Sequence, residues 1–205
     1  MTKDNAAPAS IKPSSARQRK RPRKITPEYL HNSGLYYLQR FASSSGNFHA
    51  VMIRKVRRSC MEHKEQDFEA CRVLVDQLVE KFQSSGLLDD ATYLQGSVRS
   101  LRRRGESRQS IMARLRTKGL SETQIRDALQ QYEANSATPE HDPETVSALL
   151  FARKKKFPPF SLPKKEDSEK VIGSFARKGF NYDTIRAVTS IKRDEAEDIL
   201  RNAGF

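Results

Sequence analysis

The 205-residue chain has no tryptophan, only two cysteines and only nine glycines. This composition is unfavourable to a β-sandwich and to folds built on glycine-rich catalytic loops, so helix is the expected class. No stretch approaches the roughly 18 consecutive apolar residues that suggest a membrane span. No apolar signal-peptide core follows the N-terminus either. These absences predict a cytoplasmic chain that does not engage a membrane.

The few residues suited to catalysis or metal binding are scattered. Cys60 and Cys71 fall in a helix-like segment without metal-ligand spacing, so we expect reduced, buried or idle thiols rather than a disulfide or a nucleophile. The four histidines suggest no paired metal motif, and no glycine has the spacing of a phosphate-binding loop. We therefore expect no catalytic residue, no metal, no cofactor and no enzymatic activity.

The chain is strongly basic, with a formal net charge of +13. Residues 1–24 hold eight Lys and Arg against Asp4 alone, which gives 8 − 1 = +7 and leaves +6 for the rest. This segment has no apolar periodicity and cannot offset its own ordering entropy. We predict a disordered basic arm, which either grips nucleic acid loosely or is simply a solvated tail.

A twelve-residue pattern occurs twice, at residues 115–126 and 175–186. Lys118, Gly119, Ile125 and Arg126 in the first copy match Lys178, Gly179, Ile185 and Arg186 in the second. A repeat at a fixed offset indicates a repeat architecture. The expected structure of each copy is a helix ending at lysine, a left-handed glycine, and a second helix capped by Ser121 or Asn181.

The whole pattern of caps and apolar stripes predicts an all-α protein of tandem three-helix repeats. The predicted organisation is a basic arm at 1–24, repeat 1 at 25–88, repeat 2 at 89–133, a linker at 134–141, repeat 3 at 142–189 and a C-terminal helix at 190–205. In repeat 1, Val56 takes the place of Leu115, but Ser59-Cys60 stands where Lys-Gly is expected. Repeat 1 is thus expected to diverge. Its first helix is expected to begin at Thr26-Pro27, a cap followed by proline, and to carry an apolar stripe of Leu30, Tyr37, Leu38 and Phe41.

Two helix ends carry four basic residues each. They are Arg99, Arg102, Arg103 and Arg104 in repeat 2, and Arg153, Lys154, Lys155 and Lys156 in repeat 3. Cations near a helix C-terminus interact favourably with the helix dipole, by about 0.3–1 kcal/mol each. Four cations at one helix end are more than the dipole needs, because they point in several directions around the helix. We predict that both ends bind a partner or DNA. We add Lys178 and Arg186, for which a solvated or capping role fits equally well.

Several motifs together resemble the RecX family of recombinase regulators. They are GLLDDATY at 86–93, RRRGESRQSI at 102–111, the two Lys-Gly turns, ARKKKF at 152–157 and ARKGFNYDTIR at 176–186. The resemblance covers about residues 27–189. The basic arm, the C-terminal helix, the serine-rich first interhelical loop and the missing repeat-1 glycine depart from the family pattern.

The resemblance implies both a fold and a function. The fold would be an elongated, curved array of three-helix repeats. The protein would bind the RecA recombinase and its DNA filament as a monomer, and would inhibit ATP hydrolysis, strand exchange and coprotease activity. The alternative, from charge alone, is a helical protein that binds single- or double-stranded DNA directly without sequence preference. The sequence does not separate basic residues that meet the recombinase from those that meet DNA.

Overall fold

The computed structural model describes residues 21–135, 141–161 and 168–205. Over these ranges the chain forms ten α-helices and no strand, which confirms the all-α prediction. The helices are α1 (Pro27–Leu38), α2 (Ser45–Glu62), α3 (Phe68–Ser84), α4 (Asp90–Arg103), α5 (Arg108–Arg116), α6 (Glu122–Ala134), α7 (Pro143–Lys155), α8 (Ser168–Arg177), α9 (Tyr182–Ser190) and α10 (Arg193–Asn202).

Local capping chemistry explains where many of these helices begin. The Thr26 side chain accepts a hydrogen bond from the Tyr29 amide, and Pro27 occupies the first turn of α1. Ser121 and Gln124 form a reciprocal capping box at the start of α6. Such caps satisfy backbone amides that have no partner inside the helix. The predicted starts of α1 and α6 are confirmed.

Three separate hydrophobic clusters divide the helices into unit 1 (α1–α3), unit 2 (α4–α6) and unit 3 (α7–α9). Phe48 and Phe82 are fully buried in the first cluster, and Ile111 and Ile125 in the second. The third cluster contains Phe175 and also the apolar face of α10, which packs against α7. The C-terminal helix is therefore part of the core of unit 3.

The first unit differs from its predicted details at two places. Helix α1 ends at Leu38, so Phe41 lies beyond the helix and is 53% exposed instead of contributing to the apolar stripe. Counted from the serine caps of α2 and α5, Met52 rather than Val56 corresponds to Leu115. Helix α2 continues for 18 residues against nine in α5, so no Lys-Gly turn interrupts it.

The last four residues of the predicted arm, 21–24, lie against the connection between α2 and α3. Ser59 donates a hydrogen bond to the Arg23 carbonyl, and Lys24 pairs with Glu65 at 2.6 Å. Ile25, which follows, is buried. The described chain thus packs from residue 21, whereas residues 1–20 of the predicted arm and 136–140 of the predicted linker lie outside the described residues. In the part of the chain that the structure covers, no helix is long and apolar enough to cross a membrane.

Candidate functional site

The two repeated Lys-Gly turns occupy equivalent places at the junctions between units. The Lys118 carbonyl accepts a hydrogen bond from Ser44 Oγ, the cap of α2, at 2.5 Å. One unit later, the Lys178 carbonyl accepts from Ser107 Oγ, the cap of α5, at 2.6 Å. Each turn therefore docks on the start of the second helix of the preceding unit. The repeated motif is a joint between units.

Glycine is required in both turns by conformation and by space. Gly119 and Gly179 have φ of 78° and 85°, the left-handed conformation that was predicted. A Cβ on Gly119 would lie 2.8 Å from Gly46 Cα, and one on Gly179 would lie 2.7 Å from Ser107 Oγ. The glycines of the sequence repeat therefore lie where neighbouring units are in close contact.

A carboxylate at the start of the first helix of each later unit makes a second contact. Asp90 of α4 accepts from the Ser45 amide at 2.7 Å, and Glu144 of α7 accepts from the Arg108 amide at 3.1 Å. Ser45 and Arg108 are the first residues of α2 and α5. Both carboxylates therefore cap the second helix of the unit before.

The lysine side chains of the two turns meet different partners. Lys118 Nζ donates to the neutral Asn47 Oδ1 at 3.2 Å. Lys178 Nζ pairs with Glu106, whose side chain is 9% exposed, at 2.7 Å. Burial raises the pKa of Glu106, but hydrogen bonds from Lys178 and Ser110 outweigh that effect and hold the pKa below its ordinary value. Lys178, a predicted binding residue, is thus engaged within the fold.

The predicted cluster at the end of α4 is divided among three environments. Arg102 is 2% exposed, and its guanidinium pairs with Glu133 of α6 and Glu144 of α7. Arg108 also pairs with Glu133 at 2.8 Å, so two arginines and two glutamates form one network between units 2 and 3. The prediction that Arg102 contacts a partner is corrected, since its side chain has no free surface. Its spacing from Leu94 and Val98, which places it on the buried stripe of α4, is the signal that identifies it.

The other three arginines of this cluster line two clefts on different sides of unit 2. Arg99 and Arg103 line a cleft of about 490 Å³ between α4, α6, α7 and the end of the chain, where the Arg103 guanidinium lies 6.0 Å from the Phe205 ring centroid. Arg104 lines a cleft of about 580 Å³ between units 1 and 2. The sequence cluster therefore does not form one binding patch.

The cleft between units 1 and 2, named here the unit 1–2 cleft, combines exposed apolar and basic side chains. Its walls include Phe41, Leu87, Tyr93, Arg104, Arg114 and Lys118. Leu87 is 49% exposed, while its neighbour Leu88 is buried in unit 1. The sequence pattern singles out neither Leu87 nor Arg114 as a binding residue. Only the assembled units show that they share a surface.

The predicted cluster at the end of α7 remains on the surface. Arg153, Lys154, Lys155 and Lys156 are all exposed. Arg153 approaches Glu197 of α10 at 4.0 Å. Lys156 ends the helix in the left-handed conformation, with φ of 55°. Arg186 of α9 is exposed as well. These side chains are accessible to an anionic partner.

The described ranges contain no group of three or more His, Cys, Asp or Glu side chains that could hold a metal ion. Cys60 and Cys71 are both free thiols and form no disulfide. Burial, followed by the neighbouring Cys60, raises the pKa of the Cys71 thiol. A thiol of raised pKa is a weaker nucleophile at neutral pH because less of it is ionised.

Known proteins resemble the chain in sequence and in fold. A family model described as the second three-helix domain of RecX matches residues 89–129. Regulatory protein RecX of Myxococcus xanthus (strain DK1622) is 34% identical over 172 residues, which cover 82% of this chain and 88% of the relative. Regulatory protein RecX of Agrobacterium fabrum (strain C58 / ATCC 33970) is 31% identical, with 85% and 89% covered.

Solved structures share the helical repeat fold. A crystal structure of regulatory protein RecX aligns with a TM-score of 0.54 at 22% identity, covering 80% of this chain and 72% of that one. The crystal structure of RecX from Lactobacillus salivarius aligns with a TM-score of 0.52 at 17% identity, covering 85% and 96%. The two sequence relatives, at 34% and 31% identity over most of the chain, establish that the chain belongs to the RecX family of regulatory proteins.

Proposed function

We propose that this protein is a non-catalytic regulator that binds the RecA recombinase and its DNA filament. In this role it inhibits ATP hydrolysis, strand exchange and coprotease activity, and so affects DNA repair and recombination. The observation that carries the proposal is the extended sequence match to a protein named regulatory protein RecX, which spans 88% of that relative. The partner and the direction of the effect come from the family resemblance.

The arrangement of the units supports this role. Tandem units that contact mainly their neighbours leave a long surface free for an extended partner. Exposed cations at the end of α7 and in the unit 1–2 cleft can meet either acidic side chains or DNA phosphates. The protein is expected to act as a cytoplasmic monomer.

The test is a titration of the recombinase's DNA-dependent ATPase with purified protein. We expect inhibition that increases up to a stoichiometric amount. An ATPase rate that stays unchanged over that range would contradict the proposal. Turnover of any substrate that a single conservative substitution abolishes would contradict the non-catalytic part.

Direct binding to DNA is the second candidate, favoured by the exposed cluster at the end of α7 and by the basic residues of the arm. It predicts tight binding to DNA without recombinase, with an affinity that falls steeply as salt rises. Deleting residues 1–20 removes five basic residues and Asp4, a net of 5 − 1 = +4. It spares residues 21–24, which hold the α2–α3 connection. A direct DNA binder should lose most of its affinity, while a recombinase regulator should retain most of its inhibition.

A further inference from the structure

The unit 1–2 cleft has the properties of a binding groove for a peptide segment. Phe41 and Leu87 both line the cleft and are about half exposed, at 53% and 49%. Large apolar side chains exposed together at a concave surface are typical of protein-binding sites. A volume of about 580 Å³ can accept several side chains of an incoming segment.

Small residues along α4 leave room for the backbone of such a segment. Gly96, Ser97 and Ser100 line the cleft. A Cβ added to Gly96 would meet no atom within 4 Å, although this glycine lies in the middle of a helix where glycine costs about 1 kcal/mol relative to alanine. The fold therefore does not require glycine at this position, and the space above it is open.

The rim of the cleft is positively charged. Arg104 and Arg114 are exposed, and Lys118 lies beside them with its ammonium on Asn47. Asp89 is the carboxylate at this rim, and its oxygens accept from the Ala91 and Thr92 amides and from the Thr92 hydroxyl. Arg104, Arg114 and Lys118 against Asp89 leave the lining of the cleft with a net charge of 3 − 1 = +2. The complementary partner is acidic.

From these features we infer that the unit 1–2 cleft binds an acidic segment of the recombinase that carries a bulky apolar side chain. The cations would meet the carboxylates, and the apolar side chain would enter between Phe41 and Leu87 over Gly96. The aliphatic Leu87 suits an apolar side chain of a peptide. Phe41 and Tyr93 also line the cleft, and aromatic rings are the platforms on which bases stack, so binding to DNA alone has to be measured separately. This inference rests on the proposed function and assigns it a surface.

The test blocks the cleft without disturbing the fold. Gly96→Glu fills the open space and adds a negative charge, while replacing glycine by a better helix former. Gly173→Glu is the matched control, because Gly173 is a helical glycine of α8 in unit 3 whose nearest new neighbour is the flexible Arg177 side chain at 3.3 Å. Circular dichroism melting checks that both variants fold.

Binding is measured by biolayer interferometry on immobilised recombinase filaments, assembled on an oligo-dT strand with a non-hydrolysable ATP analogue. The naked strand is the second surface. We expect Gly96→Glu to raise the dissociation constant for filaments by about tenfold or more, as loss of a central contact does. We expect its affinity for the naked strand, and both affinities of Gly173→Glu, to stay within about twofold of wild type.

Two further variants test the chemistry of the segment. Leu87→Ser removes an apolar wall, and Arg104→Glu with Arg114→Glu inverts the rim charge. Both should weaken filament binding by about fivefold or more, whereas Arg54→Glu with Lys64→Glu, which inverts two exposed charges of unit 1 outside the cleft, should have a smaller effect. Filament binding by Gly96→Glu and Leu87→Ser equal to wild type would overturn the inference. So would a loss confined to the naked strand, because the cleft would then hold nucleic acid.

The proposed function fails separately. If wild-type protein neither binds filaments nor changes ATP hydrolysis, the proposed function is wrong and the inference falls with it. If wild-type protein inhibits and the cleft variants inhibit equally well, only the assignment of the cleft is wrong.

Discussion

The two junctions between units share a geometry and differ in their chemistry. At each junction a Lys-Gly turn places its lysine carbonyl on a serine cap, at Ser44 between units 1 and 2 and at Ser107 between units 2 and 3. The side chains around the first contact pair a charged group with a neutral one, as in Lys118 with Asn47. Around the second, opposite charges meet, as in Lys178 with Glu106.

The difference separates what fixes the geometry from what tunes the strength of each junction. The shared contact uses a backbone carbonyl, a hydroxyl and a glycine conformation, so it survives changes in the surrounding charges. The ionic network of Arg102, Arg108, Glu133 and Glu144 is present only at the second junction, where Arg102 is fully covered. The first junction leaves its neighbouring surface open as the unit 1–2 cleft. The same contact between a Lys-Gly turn and a serine cap therefore occurs both at a junction covered by ion pairs and at a junction beside an open cleft.

The largest expected effect tests the closed junction. Arg102→Met should lower the free energy of unfolding by about 3–5 kcal/mol, because it leaves the charges of Glu133 and Glu144 partly buried without their shared partner. Arg103→Met, at an exposed neighbouring position, should change it by less than about 0.5 kcal/mol. Urea unfolding followed by circular dichroism gives both values. Equal losses would show that the network does not hold this junction.

The next largest effect is the stability lost when the glycine of either turn is replaced by alanine, and it should differ between the two turns. Gly119→Ala should cost about 3 kcal/mol and Gly179→Ala about 2 kcal/mol, since left-handed strain adds to a clash. The first clash is with the Gly46 backbone, and the second is with side-chain atoms of Ser107 and Gln109. Gly86→Ala is the control for strain alone, because φ is 73° and no atom lies within 4 Å of the new Cβ; about 1 kcal/mol is expected there. If thermal unfolding showed the same loss of stability for Gly86→Ala as for the other two variants, close packing at the junctions would be refuted.

Removing the serine hydroxyls should affect both junctions alike. Ser44→Ala and Ser107→Ala should each cost about 2 kcal/mol, because a helix cap and a bond to the next unit are lost together. Ser121→Ala removes a cap whose bonds stay within α6, and should cost about 1 kcal/mol. Denaturant midpoints of the three variants show whether the hydrogen bond between units stabilises the fold beyond the contribution of the helix cap. Similar values for all three would mean that it does not.

The smallest effect concerns pH and distinguishes the ionic junction from the neutral one. Lys178→Met should cost about 1 kcal/mol at pH 7, because the ion pair with Glu106 is lost. The pKa of Glu106 is lowered in the folded protein, so this stabilisation is present above the ordinary glutamate pKa of about 4.3 and is lost as pH falls through the lower folded value. The cost of Lys178→Met should therefore shrink between pH 5 and pH 3.

Lys118→Met provides the comparison for that pH series. Its partner Asn47 does not titrate, so the cost of this substitution should stay constant over the same range. Stability curves at several pH values, each referred to wild type at the same pH, measure both. A parallel pH dependence of the two variants would show that Glu106 is not the group responsible.

Local features of the fold followed from the sequence, and features that need distant residues did not. The helix cap at Ser121 and the left-handed Gly119 depend on neighbours within a few residues, and both predictions are confirmed. The environment of Arg102 depends on Glu144, 42 residues away, so counting charges at the end of α4 could not assign it. Its spacing from Leu94 and Val98, which places it on the apolar stripe of α4, is the local sign of its burial.

The candidate surface was harder to anticipate for a similar reason. The spacing of apolar residues predicts that Phe41 continues the stripe of α1, but the helix ends at Leu38 and Phe41 is exposed. Arg104, which follows α4, and Arg114 of α5 are ten residues apart, and the cleft that both line exists only where unit 1 packs on unit 2. The boundaries of the three repeats and the binding roles of the exposed cations stay predictions.

The contact between turn and serine cap gives the molecule a direction. Unit 1 offers a cap, unit 3 offers a turn, and unit 2 offers both, so the units are joined head to tail. A head-to-tail chain has distinguishable ends, as a filament of identical subunits also has. If this protein lies along such a filament, only one of its two opposite orientations matches successive units to successive subunits. Unit 1 then always faces one end of the filament, and unit 3 always faces the other.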